Sequence, residues 1–125
     1  MTWLLVAVGG ALGSLLRYGA YRLWPSSPGG WPVPTFTVNL VGSFAIGLIY
    51  MYVAARGVGT ENARVFWMTG VVGGFTTYSA FALESALLGF NVTGIAYVAA
   101  TVVLCLLATL LGMKVGALLI SMFVS

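Results

Sequence analysis

Four apolar runs, each about as long as a bilayer is thick, dominate this 125-residue sequence and leave it few possible folds. A helix needs about 20 mostly apolar residues to cross the hydrocarbon core. Such runs are predicted at about 3–23, 33–54, 65–88 and 92–119, from Trp3 to Leu23, Val33 to Ala54, Val65 to Leu88 and Val92 to Leu119. Charged residues make up 6% of the chain, against about 25% in a soluble domain. The expected fold is an all-α membrane protein, one domain over residues 1–125 with four transmembrane helices.

Composition removes several classes of function. Histidine and aspartate are absent, and Cys105 is the sole cysteine. No disulfide framework, Cys-rich metal site or nucleophile–base pair is therefore available, and an enzyme is not expected. The net charge of +3 comes from scattered basic residues, not from a patch that would hold nucleic acid. The N-terminus has no basic region ahead of its apolar run and no clean small-residue cleavage site, so removal as a signal peptide is not expected. The function is expected to lie within the membrane.

All four prolines, Pro25, Pro28, Pro32 and Pro34, fall in the first connection. The second connection, Arg56 to Arg64, carries Arg56, Glu61 and Arg64, and the third is a short turn at Gly89-Phe90-Asn91. With four spans, Arg56, Arg64 and Lys114 lie on one side, with Arg22, and Arg17 if it reaches the interface, on the other. The Lys/Arg bias that sets orientation is nearly absent, which predicts either insertion in both orientations or orientation by one extra charge. Small residues recur at Gly9-x-x-x-Gly13, Gly70-x-x-x-Gly74 and Gly112-x-x-x-Gly116. Such faces let helices approach closely, within one subunit or between two.

The third run contains a polar, glycine-led stretch, Gly73-Gly74-Phe75-Thr76-Thr77-Tyr78-Ser79-Ala80-Phe81. Paired glycines weaken a helix and threonines bond their own backbone, so a helix break is predicted here. A break in hydrocarbon survives only where protein or a watery cavity satisfies its peptide groups. Tyr78 and Phe81 follow at helical spacing, on one side just past the break.

Polar residues also form stripes. Thr35, Asn39 and Ser43 share a face of the second span, and Tyr97, Thr101, Cys105 and Thr109 a face of the fourth. The Asn39 amide either donates to an anion or joins two helices. Arg17 either snorkels to the interface or draws anions into a vestibule. Glu84, inside the third span, is either a functional acid or one half of an ion pair with Arg17. The inventory is rich in donors and poor in the carboxylates a cation pore uses. An aromatic ring is electropositive at its edge, so Tyr78 and Phe81 suit an anion path if they lie edge-on, and are core or lipid-facing rings otherwise.

These residues resemble a known family. Gly73-Gly74-Phe75-Thr76-Thr77-Tyr78-Ser79-Ala80-Phe81-Ala82-Leu83-Glu84 is similar to the third-helix signature of the small bacterial fluoride channels, the Fluc or CrcB family. Gly9-Gly10-Ala11-Leu12-Gly13 with Arg17-Tyr18 resembles its first-helix motif, and Thr35-Phe36-Thr37-Val38-Asn39-Leu40-Val41-Gly42-Ser43-Phe44 its second. The likeness runs in order along nearly the whole chain. It implies a passive fluoride-selective channel in the inner (plasma) membrane, an antiparallel dual-topology dimer with two pores. By the same likeness Tyr78 and Phe81 line the pore with ring edges, Asn39 donates to the ion, and Ser79 and Thr101 belong to a polar track. Arg17 would sit at the vestibule and Glu84 near the pore. The break would hold a structural Na+ at the dimer centre through the carbonyls of Gly73 and Thr76. Phenylalanine is usual in the family where Tyr78 stands. A homodimer is implied, with a heterodimer of paralogues as the other arrangement the family uses. The alternatives are a non-conducting partner subunit of such a channel and a dual-topology proton-coupled multidrug or guanidinium exporter. The exporter needs a membrane acid, for which Glu84 is the sole candidate.

Overall fold

A computed structural model describes residues 1–57 and 61–124 of the chain, and they are all-helical. α1 spans Thr2–Leu23, α2 Val33–Arg56 and α3 the single turn Glu61–Arg64. The third run continues as a π-helix over Val65–Val72, then α4 (Gly73–Phe75) and α5 (Tyr78–Leu88); α6 spans Val92–Val124. Together these give four segments long and apolar enough to cross a membrane, so the chain is a multi-pass membrane protein.

Local chemistry sets the ends. Pro34 is the second residue of α2, where a missing N–H costs nothing because first-turn donors have no intrahelical partner. Gly57, with φ +69°, stops α2, and Gly89, with φ +72°, stops α5. Asn91 then caps α6, its side-chain oxygen accepting the Gly94 N–H at 2.8 Å. α2 ends two residues beyond the expected Ala54, and α6 continues past Leu119 to Val124. At about 1.5 Å per residue α6 is longer than the roughly 30 Å hydrocarbon core, so it tilts or emerges from it. Residues 58–60 of the expected charged loop lie outside the described residues. Its end, Glu61–Arg64, is already helical, with Arg64 Nη2 2.8 Å from Glu61 Oε1 one turn away.

The small-residue faces decide the packing. Gly9 lies against Phe66 and Gly70, and Gly13 against Val71, Gly74 and Phe75. The paired numbers rise together, so α1 and the third span run parallel. Gly47 meets Thr109 and Met113, Gly112 meets Phe44 and Leu48, and Gly116 meets Leu48 and Met51. α2 and α6 are thus a second parallel pair. A Cβ on Gly13 would lie 2.1 Å from the Val71 carbonyl oxygen, and one on Gly112 2.1 Å from that of Phe44. Backbones this close gain dispersion and lose no side-chain entropy, which is what drives association where the solvent is as apolar as leucine. All three small-residue motifs therefore serve packing inside the chain.

The break falls inside the expected stretch but is narrower than it. Gly73 has ordinary right-handed helical angles (φ −61°, ψ −37°), and Gly73 and Gly74 lie within α4. The extended residues are Thr76 (ψ 157°) and Thr77 (φ −148°, ψ 118°), and the helix resumes at Tyr78. Gly74 serves contact instead, since a Cβ there would lie 2.5 Å from the Gly10 carbonyl. Ahead of the break the π-helix widens the turn: the Gly73 N–H reaches back five residues to the Met68 carbonyl as well as to Gly70.

A candidate anion cleft at the helix break

Two threonines open the third span and one asparagine closes the polar account of the opening. Asn39 Nδ2 donates to the Thr77 carbonyl at 2.9 Å, and its Oδ1 accepts the Thr77 N–H at 2.8 Å. The side-chain amide thus replaces a neighbouring peptide, satisfying both groups of an extended residue in mid-membrane. Thr76 folds its hydroxyl back onto the Val72 carbonyl (3.0 Å). Thr77 caps α5, its hydroxyl accepting the Ala80 N–H at 3.3 Å.

The interruption separates two kinds of partial charge. In an unbroken helix the Thr77 N–H would bond the Gly73 carbonyl; here it is committed to Asn39. α4 therefore ends in carbonyls without their helical donors, while α5 begins with N–H groups and the positive end of its dipole. A cation is favoured on the first side and an anion on the second.

Beside the break, reaching from Val72 and Thr76 to Tyr78 and Phe81, lies a cleft of about 360 Å³ walled by α2, the third span and α6. Asn39 and Ser43 line it from α2, Thr77, Tyr78 and Phe81 from the break and α5, and Thr101 from α6. Thr101 is 5% exposed, and its hydroxyl oxygen has no hydrogen-bond partner among the described residues. A buried hydroxyl without a partner costs about 1–3 kcal/mol, so one facing a cleft favours an occupant that can accept its proton. Asn39 uses one of its two amide protons on Thr77 and retains the other. The cleft is open on one side.

The aromatic rings divide. Phe81 is 8% exposed and tilts against Tyr97, centroids 5.5 Å apart. Tyr78 is 80% exposed and meets Phe81 edge-on at 5.7 Å. Both border the cleft, Phe81 as wall and Tyr78 as rim. Ser79 is exposed, does not line the cleft, and stands 3.3 Å from the Thr77 hydroxyl.

Glu84 is not paired with Arg17. Thr35 donates to its Oε1 at 2.6 Å and Tyr97 to its Oε2 at 2.8 Å. Since Thr35 has a single proton and gives it to Glu84, Tyr21 is the donor in the Tyr21–Thr35 hydroxyl contact. Tyr97 and Thr35 are fully buried. A carboxylate surrounded by hydroxyl donors needs no counter-ion to be tolerated, whereas Arg17 makes no ion pair or hydrogen bond among the described residues and stays half-exposed near the end of α1. Of the residues singled out from sequence, Asn39, Tyr78, Phe81 and Thr101 come together at the cleft; Glu84 lies one helical turn beyond Phe81, and Arg17 and Ser79 stand apart from the lining. Sequence reasoning missed Tyr21 and the linking role of Thr35. The polar period of α2 contained Thr35, but nothing in the chain pairs it with α1 and α5 before the fold is known.

No cluster of His, Cys, Asp or Glu suited to a metal occurs among the described residues. A cation at the break would have to be held by carbonyl oxygens, with Gly73 freed as described.

Over residues 4–113 the chain matches the family described as CrcB-like protein, Camphor Resistance (CrcB). It is 44% identical over 118 residues to the fluoride-specific ion channel FluC of Paracoccus denitrificans, covering 92% of this chain and 94% of that one. Identity to the FluC of Rhizobium meliloti is 43% over 115 residues (88% and 91%). Identity to FluC 2 of Nocardia farcinica is 40% over 112 residues (87% and 80%). The match takes in the break, the asparagine that braces it and the spans on either side: the chain belongs to the CrcB-like family.

Proposed function

We propose that this chain is a fluoride channel, a passive pore and not an enzyme. The observation that carries the reading is the cleft, where a spare amide proton, an unpartnered buried hydroxyl and the start of α5 converge beside ring edges. Relatives 40 to 44% identical along most of the chain, named for fluoride conduction, support it. Fluoride is small and strongly hydrated, so it enters only where donors replace its water. Asn39 and Thr101 supply such donors, while the edges of Phe81 and Tyr78 attract it more softly and let it leave.

The pore is completed by a second copy of the chain in the opposite orientation, giving two pores. Supporting this are the open side of the cleft, the rim position of Tyr78 and the near-even distribution of Lys and Arg. The carbonyls of Gly73 and Thr76 would hold Na+ where the two breaks meet. One chain offers two such oxygens, too few for a hard cation, and two chains offer four. Ser79, Arg17 and Glu84 then act around the pathway, Arg17 by drawing anions to the mouth. The setting is the inner (plasma) membrane, and the partner an identical chain.

Efflux from liposomes tests the reading. Purified protein should release trapped fluoride passively and chloride hardly at all, and Phe81→Ala should abolish release while the protein still assembles. Equal release of both anions, or fluoride uptake that requires a proton gradient, would overturn it.

A further inference from the structure

We infer that a second cavity, remote from the helix break, is a binding site for a phospholipid with an anionic headgroup. This cavity, of about 1040 Å³, lies between α2, α6 and the start of the third span. Its inner end is apolar, with Leu48, Ile49 and Gly116, and its outer part holds Tyr52, Arg56 and Trp67 beside Leu119 and Ile120. From Leu48 to Arg56 is eight residues of helix, about 12 Å at 1.5 Å per residue. That is under half of the roughly 30 Å core, so the groove belongs to one leaflet.

Charge selects the occupant. Among the described residues Arg56 is the one ionisable side chain lining the groove other than Tyr52, and no carboxylate lines it. The remaining cation nearby in sequence, Arg64, is already paired with Glu61, whereas Arg56 has no carboxylate partner among the described residues. Its guanidinium lies 4.7 Å from the centre of the Tyr52 ring. The ring holds the guanidinium plane and leaves its edge N–H groups to a phosphate, which matches that fork geometry. Tyr52 and Trp67 are the residue types that sit at headgroup level, and the apolar inner end below them fits an acyl chain.

The test uses full-length protein extracted with lipid and analysed by native mass spectrometry, with phosphatidylglycerol and phosphatidylcholine of equal chain length in competition. Wild type should retain phosphatidylglycerol about fivefold over phosphatidylcholine, the ratio expected for one basic side chain at an anionic surface. Arg56→Gln should erase the preference, Arg56→Lys should keep part of it, and Arg64→Gln should leave it intact. Because Arg56 is exposed, circular dichroism should report unchanged helix in each variant. As a second measurement, phosphatidylglycerol should raise the melting temperature of wild type but not of Arg56→Gln. Equal loss in the Arg56 and Arg64 variants would reduce the effect to general surface charge and overturn the site. So would retention of neither lipid, which would leave the groove to a second copy of the chain. Neither readout involves fluoride.

Discussion

Asn39 pairs with both peptide groups of Thr77, by bonds of 2.9 and 2.8 Å, and so one side chain holds open a helix that has lost its own ladder. The same residue faces the cleft. Asn39→Ala therefore removes two structural bonds and, on the proposed reading, a pore donor together. Leaving a buried peptide unsatisfied costs about 1–3 kcal/mol per group. The melting temperature should fall and fluoride efflux should drop at least tenfold, about 1.4 kcal/mol in a rate. Asn39→Asp should be no better, since a carboxylate cannot donate to the Thr77 carbonyl. Efflux at the wild-type rate in either variant would place the pore elsewhere.

The hydroxyl chain Tyr21–Thr35–Glu84–Tyr97 makes a sharper contrast available. Thr35→Val keeps the shape but strands one oxygen of Glu84 and the Tyr21 hydroxyl, both half-buried, so the loss should be about 1 kcal/mol, the low end of the cost of an unpartnered polar group. Thr35→Ser retains the hydroxyl and should be nearly silent. Thermal melts of the two variants side by side check this; equal melting would mean that the chain of hydroxyls contributes nothing.

Gly13 and Gly19 occupy the same helix in opposite situations. A Cβ at Gly13 would collide with the backbone of Val71 and Phe75, whereas one at Gly19 meets nothing within 4 Å. Backbone cannot step aside as a flexible side chain can, so Gly13→Ala should destabilise by about 1–3 kcal/mol. Gly19→Ala should be neutral or slightly stabilising, by up to about 1 kcal/mol of helix propensity. Yield and melting temperature of the two variants read the difference.

Sodium removal probes the carbonyl side of the break. Protein purified and reconstituted with a large organic cation in place of Na+ should lose fluoride efflux and recover it when Na+ is returned. Unchanged efflux throughout would remove the ion from the reading.

Tyr78→Phe tests the hydroxyl at the rim of the cleft. The tyrosine hydroxyl makes no hydrogen bond among the described residues, and the ring edges survive its removal. Efflux should remain within about twofold of wild type, well inside the tenfold that 1.4 kcal/mol would produce. A large rise would show that the hydroxyl obstructs the path.

The spans were legible because length and hydropathy alone determine them, and the stripes because helical spacing places Thr35 and Asn39, or Tyr97 and Thr101, on common faces. The break was legible from the cost of polar residues in an apolar run. Its narrow extent, Thr76 and Thr77, was not, because Gly73 and Gly74 read equally well as helix weakeners and as contact surface. Only the presence of Gly10 and Gly13 opposite Gly74 decides for contact there, while Gly73 meets nothing but the Met68 carbonyl of its own span. The π-helix over Val65–Val72 has no composition that distinguishes it from an ordinary apolar helix. Glu84 was marked as costly, but its two partners, Thr35 and Tyr97, come from other helices. Arg17, the partner expected for it, makes no bond to Glu84, whereas the hydroxyls of Thr35 and Tyr97 do.

The cleft is roofless in a solitary chain. An ion entering it there would brush against acyl tails, so an isolated molecule should be silent, however well folded. Transport per molecule would then depend on encounters in the plane of the bilayer, falling away when the same quantity of protein is spread through a large excess of lipid.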